Sequence, residues 1–284
     1  MKYVFFGSPQ FAQIVLNRLL EGGFIPAAVV CNPDRPVGRK QIITPPAVKT
    51  LLQESGLDEQ LPVLQPEKLS EVHEQLTALA PDVFIVAAYA KIIPAGILAI
   101  ARQGSIGVHP SLLPRHRGSS PIQSAILEGD QVTGVTLYLL DEKMDNGPIL
   151  ATVTTPVEHD DTYETLERKL ATSGGDLLCE TLPEYVSGAV TAREQDAQQA
   201  TYTKKFTTDD GFVDEALLRQ AMAGGNSEAA VKIDRTIRAL GTEPGAWTNM
   251  EGKRIKLLKA ALHDGRLQLL IIQREGKKPE TYRG

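Results

Sequence analysis

The densest group of residues suited to acid–base chemistry lies in the segment 104–123, GSIGVHPSLLPRHRGSSPIQ. His109 follows a short run, Ser105–Val108, that predicts a strand, and Pro110 fixes the backbone directly after it. An ordinary histidine titrates near about pH 6.5, so a histidine at a strand end can move a proton at neutral pH. Arg117 and two further basic residues add anion-binding capacity. A surface or capping histidine is the alternative interpretation.

A second group of polar residues lies in the segment 139–150, LLDEKMDNGPIL. A predicted strand, Gly134–Leu140, runs into Asp145 and then into the turn Asn146-Gly147-Pro148. Acidic residues at strand ends are commonly turn formers. If Asp145 instead folds back against His109, the two form a carboxylate–imidazole pair in which the carboxylate orients the ring and favours its protonated form. The spacing leaves both interpretations open.

Near-continuous apolar runs alternate with helical patterns in the first half of the chain, which predicts an α/β fold. The predicted strands are Lys2–Phe6, Ile25–Cys31 and Asp82–Ala87, and the predicted helices are Pro9–Glu21 and Pro45–Ser55. We expect a Rossmann-like, doubly wound, mainly parallel sheet with ligands at the carboxyl ends of its strands. The sequence contains no G-x-G-x-x-G and no G-x-x-x-x-G-K-[ST] motif, which argues against dinucleotide and ATP cofactors.

Composition divides the 284 residues into two domains of opposite charge. Residues 1–200 contain 15 Lys and Arg against 24 Asp and Glu, a net charge of −9, whereas 201–284 contain 15 against 11, a net charge of +4. We expect a catalytic domain at 1–190, a polar linker at 191–203 and a small, mostly β domain at 204–284. A basic module on an acidic body suggests a polyanionic partner, and a lysine-rich solvated surface is the alternative.

Targeting and metal-binding signals are absent from the sequence. No apolar run approaches the roughly 18 residues of a membrane span, and MKYVFF at the start is too short for a signal-peptide core. Cys31 and Cys179 lie far apart and form no Cys-x-x-Cys pair. We therefore expect a reduced, soluble, cytoplasmic protein with no membrane association and no metal site.

Motifs along nearly the whole chain resemble those of the methionyl-tRNA formyltransferase family. The catalytic half carries GSPQFA at 7–12, NPDRPVGR at 32–39, VAAYAKIIP at 86–94, HPSLLPRHRGSSPIQ at 109–123, TGVTLYLLDEKMDNGPIL at 133–150 and TYTKK at 201–205. The similarity continues in IRALGTEPGAWT at 237–248, GKRIKLLKA at 252–260 and IIQREGKKP at 271–279. The last three blocks are what distinguish the tRNA enzymes from the wider folate-dependent formyltransferase superfamily.

The resemblance implies transfer of a formyl group from 10-formyltetrahydrofolate to the amine of methionine on initiator tRNA. In the family, an Asn-x-His pair stabilises the oxyanion, and an Asp tunes the His and an ordered water; the His corresponds to His109 and the Asp to Asp145. The segments that match the folate pocket contain Ser111, Leu112, Leu113, Pro114, Tyr89, Ala90 and Ile92. For the tRNA substrate, the candidates are Arg39, Arg117, Lys253, Arg254 and Lys256.

One departure affects the catalytic motif itself. Gly107 stands where the family has Asn, and Pro110 replaces the usual glycine after the histidine. Losing an oxyanion donor costs about 10²–10³ in rate unless another donor replaces it. A freed backbone N–H, a water or a neighbour such as Gln123 could compensate. Two alternatives to the leading function follow: a catalytically impaired tRNA-binding homologue, or an amino-sugar-nucleotide N-formyltransferase that shares the catalytic half.

The C-terminal module also departs from the family. Its predicted strands are Ala246–Thr248, Arg254–Leu258 and Leu267–Gln273, and only Ala261–Arg266 stands where the family inserts a further strand pair. The resemblance therefore implies a shortened, β-barrel-like domain of the OB type that is trimmed or open. In the loop after Gly38, Ile42 and Ile43 replace basic residues, which would reduce phosphate contacts. We expect a monomer.

Overall fold

The computed structural model describes residues 1–38, 40–250 and 252–283, and within them it contains fifteen strands and eight α-helices. The strands are β1 (Tyr3–Phe6), β2 (Ala28–Val30), β3 (Arg35–Val37), β4 (Ile42–Thr44), β5 (Val63–Leu64), β6 (Val83–Ala87), β7 (Ser105–His109), β8 (Arg117–Gly118), β9 (Val132–Leu139), β10 (Ile149–Pro156), β11 (Tyr202–Thr203), β12 (Ala246–Met250), β13 (Lys253–His263), β14 (Arg266–Arg274) and β15 (Glu280–Thr281). The helices are α1 (Gln10–Glu21), α2 (Ala47–Glu54), α3 (His73–Leu79), α4 (Ala95–Leu98), α5 (Pro121–Glu128), α6 (Tyr163–Val186), α7 (Glu215–Ala223) and α8 (Ser227–Leu240).

A seven-stranded sheet in the order β10–β9–β7–β6–β1–β2–β5 forms the centre of the first half of the chain. Strands β5, β2, β1, β6 and β7 run parallel, and β9 runs antiparallel to β7. All four residues of β1 and all five of β7 are buried. Burial on both faces is what a parallel sheet covered by helices requires. The expected mainly parallel, doubly wound α/β fold is confirmed.

Helices cover both faces of this sheet. On one face, Val4 and Phe6 pack in a core cluster with Leu76 of α3 and Ile97 of α4. On the other face, α6 approaches β7 and β9 so closely that a Cβ on Gly174 would lie 3.1 Å from methyl carbons of both Val108 and Val135. The sheet is thereby held rigidly where β7 ends, which is the edge that carries His109.

The chain separates into two compact units. The first consists of Met1–Arg117, Gly134–Thr155 and Glu167–Thr201, and the second consists of Gly118–Thr133, Pro156–Leu166 and Tyr202–Gly284. Within the second unit α8 packs on α5, and Arg238 donates a 2.7 Å hydrogen bond to the carbonyl of Asp161. Helices α7 and α8 also cover a four-stranded antiparallel sheet in the order β12–β13–β14–β15.

The sheet of the second unit has a continuous apolar core on its helix side. The buried residues are Val213, Leu218, Ala221, Ala229, Ala230, Ile233, Ile237, Ala246, Met250, Ile255, Leu257, Leu267, Leu269 and Ile272. Among the residues described, the edge strands β12 and β15 do not pair with each other, so the sheet is open rather than closed. This agrees with the expected antiparallel C-terminal module, while its shortening relative to the family stays a prediction. In the described ranges, no helix has the length and apolar character to cross a membrane.

The turn between β1 and α1 offers a direct test of the packing at the carboxyl edge of the sheet. A Cβ on Gly7 would lie 2.5 Å from the Cβ of Ala12 and 2.7 Å from the carbonyl oxygen of Ala87. We expect Gly7→Ala to lower the free energy of unfolding by about 3 kcal/mol, since the backbone of β6 must move to admit the methyl group. Urea denaturation followed by circular dichroism measures this change.

The matched control is Gly96→Ala in α4, where no heavy atom of the described residues lies within 4 Å of the added carbon. Alanine is the better helix former, so this variant is expected to change the unfolding free energy by less than about 1 kcal/mol. Similar losses in the two variants would contradict the close approach of the β1–α1 turn to β6.

Candidate functional site

His109 is the last residue of β7, between β6 and β9 in the central sheet. It is 7% exposed. Its Nε2 lies 2.9 Å from the carbonyl oxygen of His116, and because a carbonyl only accepts, Nε2–H donates this bond. His116 has a φ of +57°, in the left-handed region, which directs the loop back toward the histidine. The ring is therefore buried and oriented by the loop that follows it.

Asp145 lies in the loop between β9 and β10, and the loop folds back toward β7. Its Oδ2 is 3.7 Å from Nδ1 of His109, and its Oδ1 accepts a 2.7 Å hydrogen bond from the hydroxyl of Tyr138. The aspartate side chain is 15% exposed. With Nε2–H directed at the His116 carbonyl, Nδ1 faces the carboxylate, so a proton on Nδ1 has an acceptor beside it. The structure thus brings His109 and Asp145 together.

The loop that carries Asp145 is fixed by a side chain from the polar segment 191–203. Gln195 donates to the carbonyl oxygens of Asp145, at 3.0 Å, and of Gly147, at 2.8 Å. Its own Oε1 accepts two bonds from Arg117, from Nε at 3.0 Å and from Nη2 at 2.6 Å. Arg117 also donates from Nη1 to Asn146 at 3.0 Å. The loop that carries Asp145 is therefore held in place by the side-chain amide of Gln195 and the guanidinium of Arg117.

Arg117 is 1% exposed, so its guanidinium is committed to the interior of the first unit. Its role in binding the substrate stays a prediction, while its contact with the Asp145 loop is an observed one. Sequence reasoning did not identify Gln195 or Tyr138. Gln195 looks like an ordinary linker residue, and Tyr138 becomes relevant only when the register between β7 and β9 is known.

Tyr138 lies opposite Gly107 in the β7–β9 ladder and packs with Leu113 and Ile149. Burial, with the charge of Asp145 as the next cause, raises the pKa of the Tyr138 hydroxyl well above its ordinary value. The phenol therefore stays protonated and acts as a donor. Its ring is nearly perpendicular to that of His109, with the ring centroids 6.4 Å apart.

The predicted folate segment after β7 is tightly ordered. Ser111 is buried, and its hydroxyl donates to the carbonyl of Arg115 at 2.6 Å. Leu113 is also buried, and its N–H donates to Oγ1 of Thr136 at 3.0 Å. Leu112 and Pro114 are half-buried. The four residues form a rigid wall next to His109.

The second predicted folate segment follows β6, the neighbour of β7 in the sheet. The Tyr89 hydroxyl is buried and has no hydrogen-bond partner among the described residues, and burial raises its pKa to about 12. Ala90 is exposed, and Ile92 is 93% exposed. Asn32, after β2, likewise has a buried Oδ1 without a partner in the described part of the chain. Unsatisfied polar atoms beside an exposed apolar side chain are suited to a ligand with polar edges.

The basic candidates of the C-terminal module lie on strand β13. The guanidinium of Arg254 lies over the ring of Trp247, 4.1 Å from its centroid, and Lys256 pairs with Trp247 across the strands. Lys253 is exposed. The ring of Phe212 also packs against the ring of Trp247, at a tilt of 55° and with the ring centroids 4.8 Å apart. Aromatic rings and cations together are suited to unpaired nucleotides.

Arg39 lies outside the described residues, so its predicted contact is not addressed by the structure. The flanking segment forms the hairpin β3–β4, in which Ile42 and Ile43 are exposed. This hairpin presents apolar side chains, as the sequence indicated.

Sequence profiles of two formyl transferase domains match the chain. The domain described as Formyl transferase matches residues 1–182, and the Formyl transferase C-terminal domain matches residues 227–268. A sugar N-formyltransferase structure from Helicobacter canadensis, in complex with folinic acid and dTDP-3-aminofucose, has the same fold. Its TM-score is 0.66 at 19% identity, with 93% of this chain and 88% of that chain covered.

Relatives of known family cover most of the chain at higher identity. The methionyl-tRNA formyltransferase of Halorhodospira halophila is 42% identical and covers 93% of this chain and 81% of its own length. The methionyl-tRNA formyltransferase of a Roseiflexus species is 39% identical, over 98% of this chain and 90% of its own length. With both domains matched and the His109–Asp145 pair assembled, the chain belongs to the methionyl-tRNA formyltransferase family.

Proposed function

We propose that this protein transfers the formyl group of 10-formyltetrahydrofolate to the α-amine of methionyl initiator tRNA, for translation initiation. The observation that carries the proposal is the 42% identity to a methionyl-tRNA formyltransferase across 93% of the chain. The N-formyltransferase solved in complex with dTDP-3-aminofucose is similar in fold alone, at 19% identity. The amino-sugar alternative therefore has no observation of its own in its favour.

The reaction requires the protein to stabilise negative charge on the formyl oxygen and to move a proton. The folate supplies an activated formyl group on a nitrogen that becomes the leaving group. As the amine attacks, negative charge develops on the formyl oxygen, and the positive charge of a protonated His109 stabilises it; direct donation from Nε2–H would require that bond to move from the His116 carbonyl to the formyl oxygen. Asp145, 3.7 Å from Nδ1, keeps the ring oriented and offsets its positive charge. The amine loses a proton and the leaving nitrogen gains one, and His109 lies where it can mediate that exchange.

The folate is proposed to bind along the ends of β6 and β7. The lining residues are Tyr89, Ala90, Ile92, Ser111, Leu112, Leu113 and Pro114. The buried hydroxyl of Tyr89 needs a partner, and a pteridine offers donors and acceptors on its edge. Apolar side chains on both segments would pack on the faces of the ring.

The tRNA is proposed to contact both parts of the chain. Arg39 and Arg117 are the candidates in the catalytic domain, 1–190, and Lys253, Arg254 and Lys256 in the small domain, 204–284. Because Arg117 is buried, its proposed part in substrate binding is indirect, through the Asp145 loop that it contacts. The stack of Arg254 on Trp247 keeps the guanidinium extended over an aromatic face, where a phosphate or a base can reach it. We further propose that the protein acts as a monomer in the cytoplasm, without a membrane partner.

Replacing the histidine tests the catalytic assignment. We expect His109→Asn to slow single-turnover formylation of methionyl-tRNA by about 10²–10⁴, because the proton donor is lost. His159→Asn is the control, since the side chain of His159 is 95% exposed, and its rate is expected to equal that of the native protein. A native rate in His109→Asn would refute the assignment.

The same assay separates the alternative functions. A native protein that binds tRNA but forms no formyl-methionyl-tRNA would support the impaired homologue. Formylation of an amino-sugar nucleotide with no transfer to tRNA would support the sugar enzyme.

The salt dependence of tRNA binding tests the basic face of β13. Each lost phosphate contact lowers the slope of log affinity against log salt by about 0.7–0.9, so we expect Arg254→Ala with Lys256→Ala to lower it by about 1.5. Fluorescence anisotropy with labelled tRNA between about 50 and 200 mM salt measures the slope. Arg219→Ala on α7 is the control and should leave the slope unchanged.

Deleting residues 206–284 would be a less direct test of tRNA binding than these point variants. Helix α8 packs on α5 within the second unit, so the truncation would expose a face of α5. An unchanged slope in the double variant, with native unfolding, would show that β13 does not contact phosphates.

A further inference from the structure

Tyr138 packs closely against Gly107. The two residues are directly opposite in the antiparallel β7–β9 ladder. A Cβ on Gly107 would lie 2.7 Å from Cζ of Tyr138, and closer still to Cε1. It would also lie 2.8 Å from Cδ1 of Leu140, which is the end of a flexible side chain. The ring of Tyr138 therefore occupies the space in which any other residue at 107 would place its side chain.

The ring leads to the acid–base pair. Residues two apart on a strand share a face, so Gly107 and His109 point the same way, and Tyr138 lies diagonal to the histidine. Its hydroxyl donates to Oδ1 of Asp145 at 2.7 Å. The other oxygen of that carboxylate faces Nδ1 of His109 at 3.7 Å. One side chain thus spans from the glycine to the carboxylate.

The hydrogen bond removes a rotational freedom of Asp145. A carboxylate at a loop position with a φ of +49° could turn either oxygen toward the imidazole or toward solvent. With Oδ1 bonded to a buried phenol, only Oδ2 can face the ring. The carboxylate faces His109 on β7 and Tyr138 on β9; its loop also contains Asp141, which accepts from Asn146, and Arg117 contacts that loop through Gln195 and Asn146.

We propose that Tyr138 is a positioning residue for the His109–Asp145 pair, and that position 107 is glycine because the ring of Tyr138 must cross it. The proposal rests on the formyl transfer proposed above. In this explanation the Tyr138 ring fills the space that the family's asparagine side chain would occupy. A water, a freed backbone N–H or Gln123 is not needed to account for the glycine. The rearrangement keeps a polar group at the site, since the Tyr138 hydroxyl is supplied from the neighbouring strand.

A packing role for the ring is the competing explanation, because aromatic residues often cover a glycine on the facing strand. Tyr138→Phe separates the two roles, since phenylalanine keeps the ring over Gly107 and removes only the hydroxyl. We expect kcat to fall about tenfold, with KM for the folate and for the tRNA within about twofold of native. The melting temperature is expected to fall by only about 3–8 °C, the cost of one hydrogen bond to a charged group, since the ring is retained.

A spectroscopic readout that does not depend on activity accompanies the kinetics. The chain has five histidines, so ¹⁵N-histidine labelling gives few imidazole signals. The Nδ1 and Nε2 signals that disappear in His109→Asn are those of His109. We expect the Nδ1 signal of His109 to shift in Tyr138→Phe, because the carboxylate beside it is no longer held. A native kcat together with a native Nδ1 signal would overturn the positioning role.

A double-mutant cycle tests the reason for the glycine. Gly107→Ala in the native background should lower the melting temperature by several degrees and reduce kcat at least about tenfold. Leucine lacks the distal ring atoms, so in the Tyr138→Leu background the same Gly107→Ala change should cost less than half as much in melting temperature. Equal costs in both backgrounds would show that the ring does not determine the residue at 107.

Failure of the proposed function is distinguishable from failure of this inference. If the native protein does not formylate methionyl-tRNA, the function falls, while the Nδ1 signal and the melting-temperature cycle still decide whether Tyr138 holds Asp145 and requires Gly107. If the native protein is active and both of those measurements are unchanged by the variants, only the inference falls.

Discussion

The site depends on the cost of burying a carboxylate next to an imidazole. An ionised carboxyl group taken out of water needs hydrogen-bond partners, and leaving it without them costs several kcal/mol. Here the phenol of Tyr138 donates a hydrogen bond to one carboxylate oxygen of Asp145, and Nδ1 of His109 lies 3.7 Å from the other, at ion-pair distance. The loop must then be fixed so that the carboxylate stays between them, and Gln195 fixes it by donating to the carbonyl oxygens of Asp145 and Gly147. Arg117 in turn holds Gln195, so the pair rests on a continuous polar network.

That network explains how far sequence reasoning reached. The fold could be predicted because buried parallel strands are near-continuous apolar runs, as in β1 and β6, and their carboxyl ends define where ligands bind. His109 could be named because it ends such a strand, and Asp145 because it lies in the polar loop after the neighbouring antiparallel strand β9. Tyr138 could not, since its importance comes from facing Gly107 across an antiparallel register that local periodicity does not specify. Helix α6 escapes prediction for a related reason: Gly174 and Gly175 weaken its pattern, yet close contact with β7 and α1 requires them.

The C-terminal module shows the same division between local and non-local information. Alternation along β13 places Ile255 and Leu257 in the core, which the sequence indicates. The strand nevertheless extends from Lys253 to His263, well beyond the predicted Leu258, because β14 pairs with it along most of that length, with irregular register near Lys259. Arg254 and Lys256 alternate with these core residues, so the polyanion contact proposed for them does not require a closed sheet.

Gly107 is the point at which the sequence and the structure have to be considered together. Judged by the motif alone, a glycine in the place of an amide donor suggests a lost function. In the folded chain the same glycine leaves room for a larger side chain on the neighbouring strand, whose hydroxyl donates to the carboxylate of Asp145. Gly107 on β7 without Tyr138 would leave an empty space, and Tyr138 on β9 opposite any larger residue would clash. The site accepts the two residues together. A departure from a family motif is therefore best judged by which atoms occupy the vacated volume, because a buried site tolerates neither an empty space nor a clash.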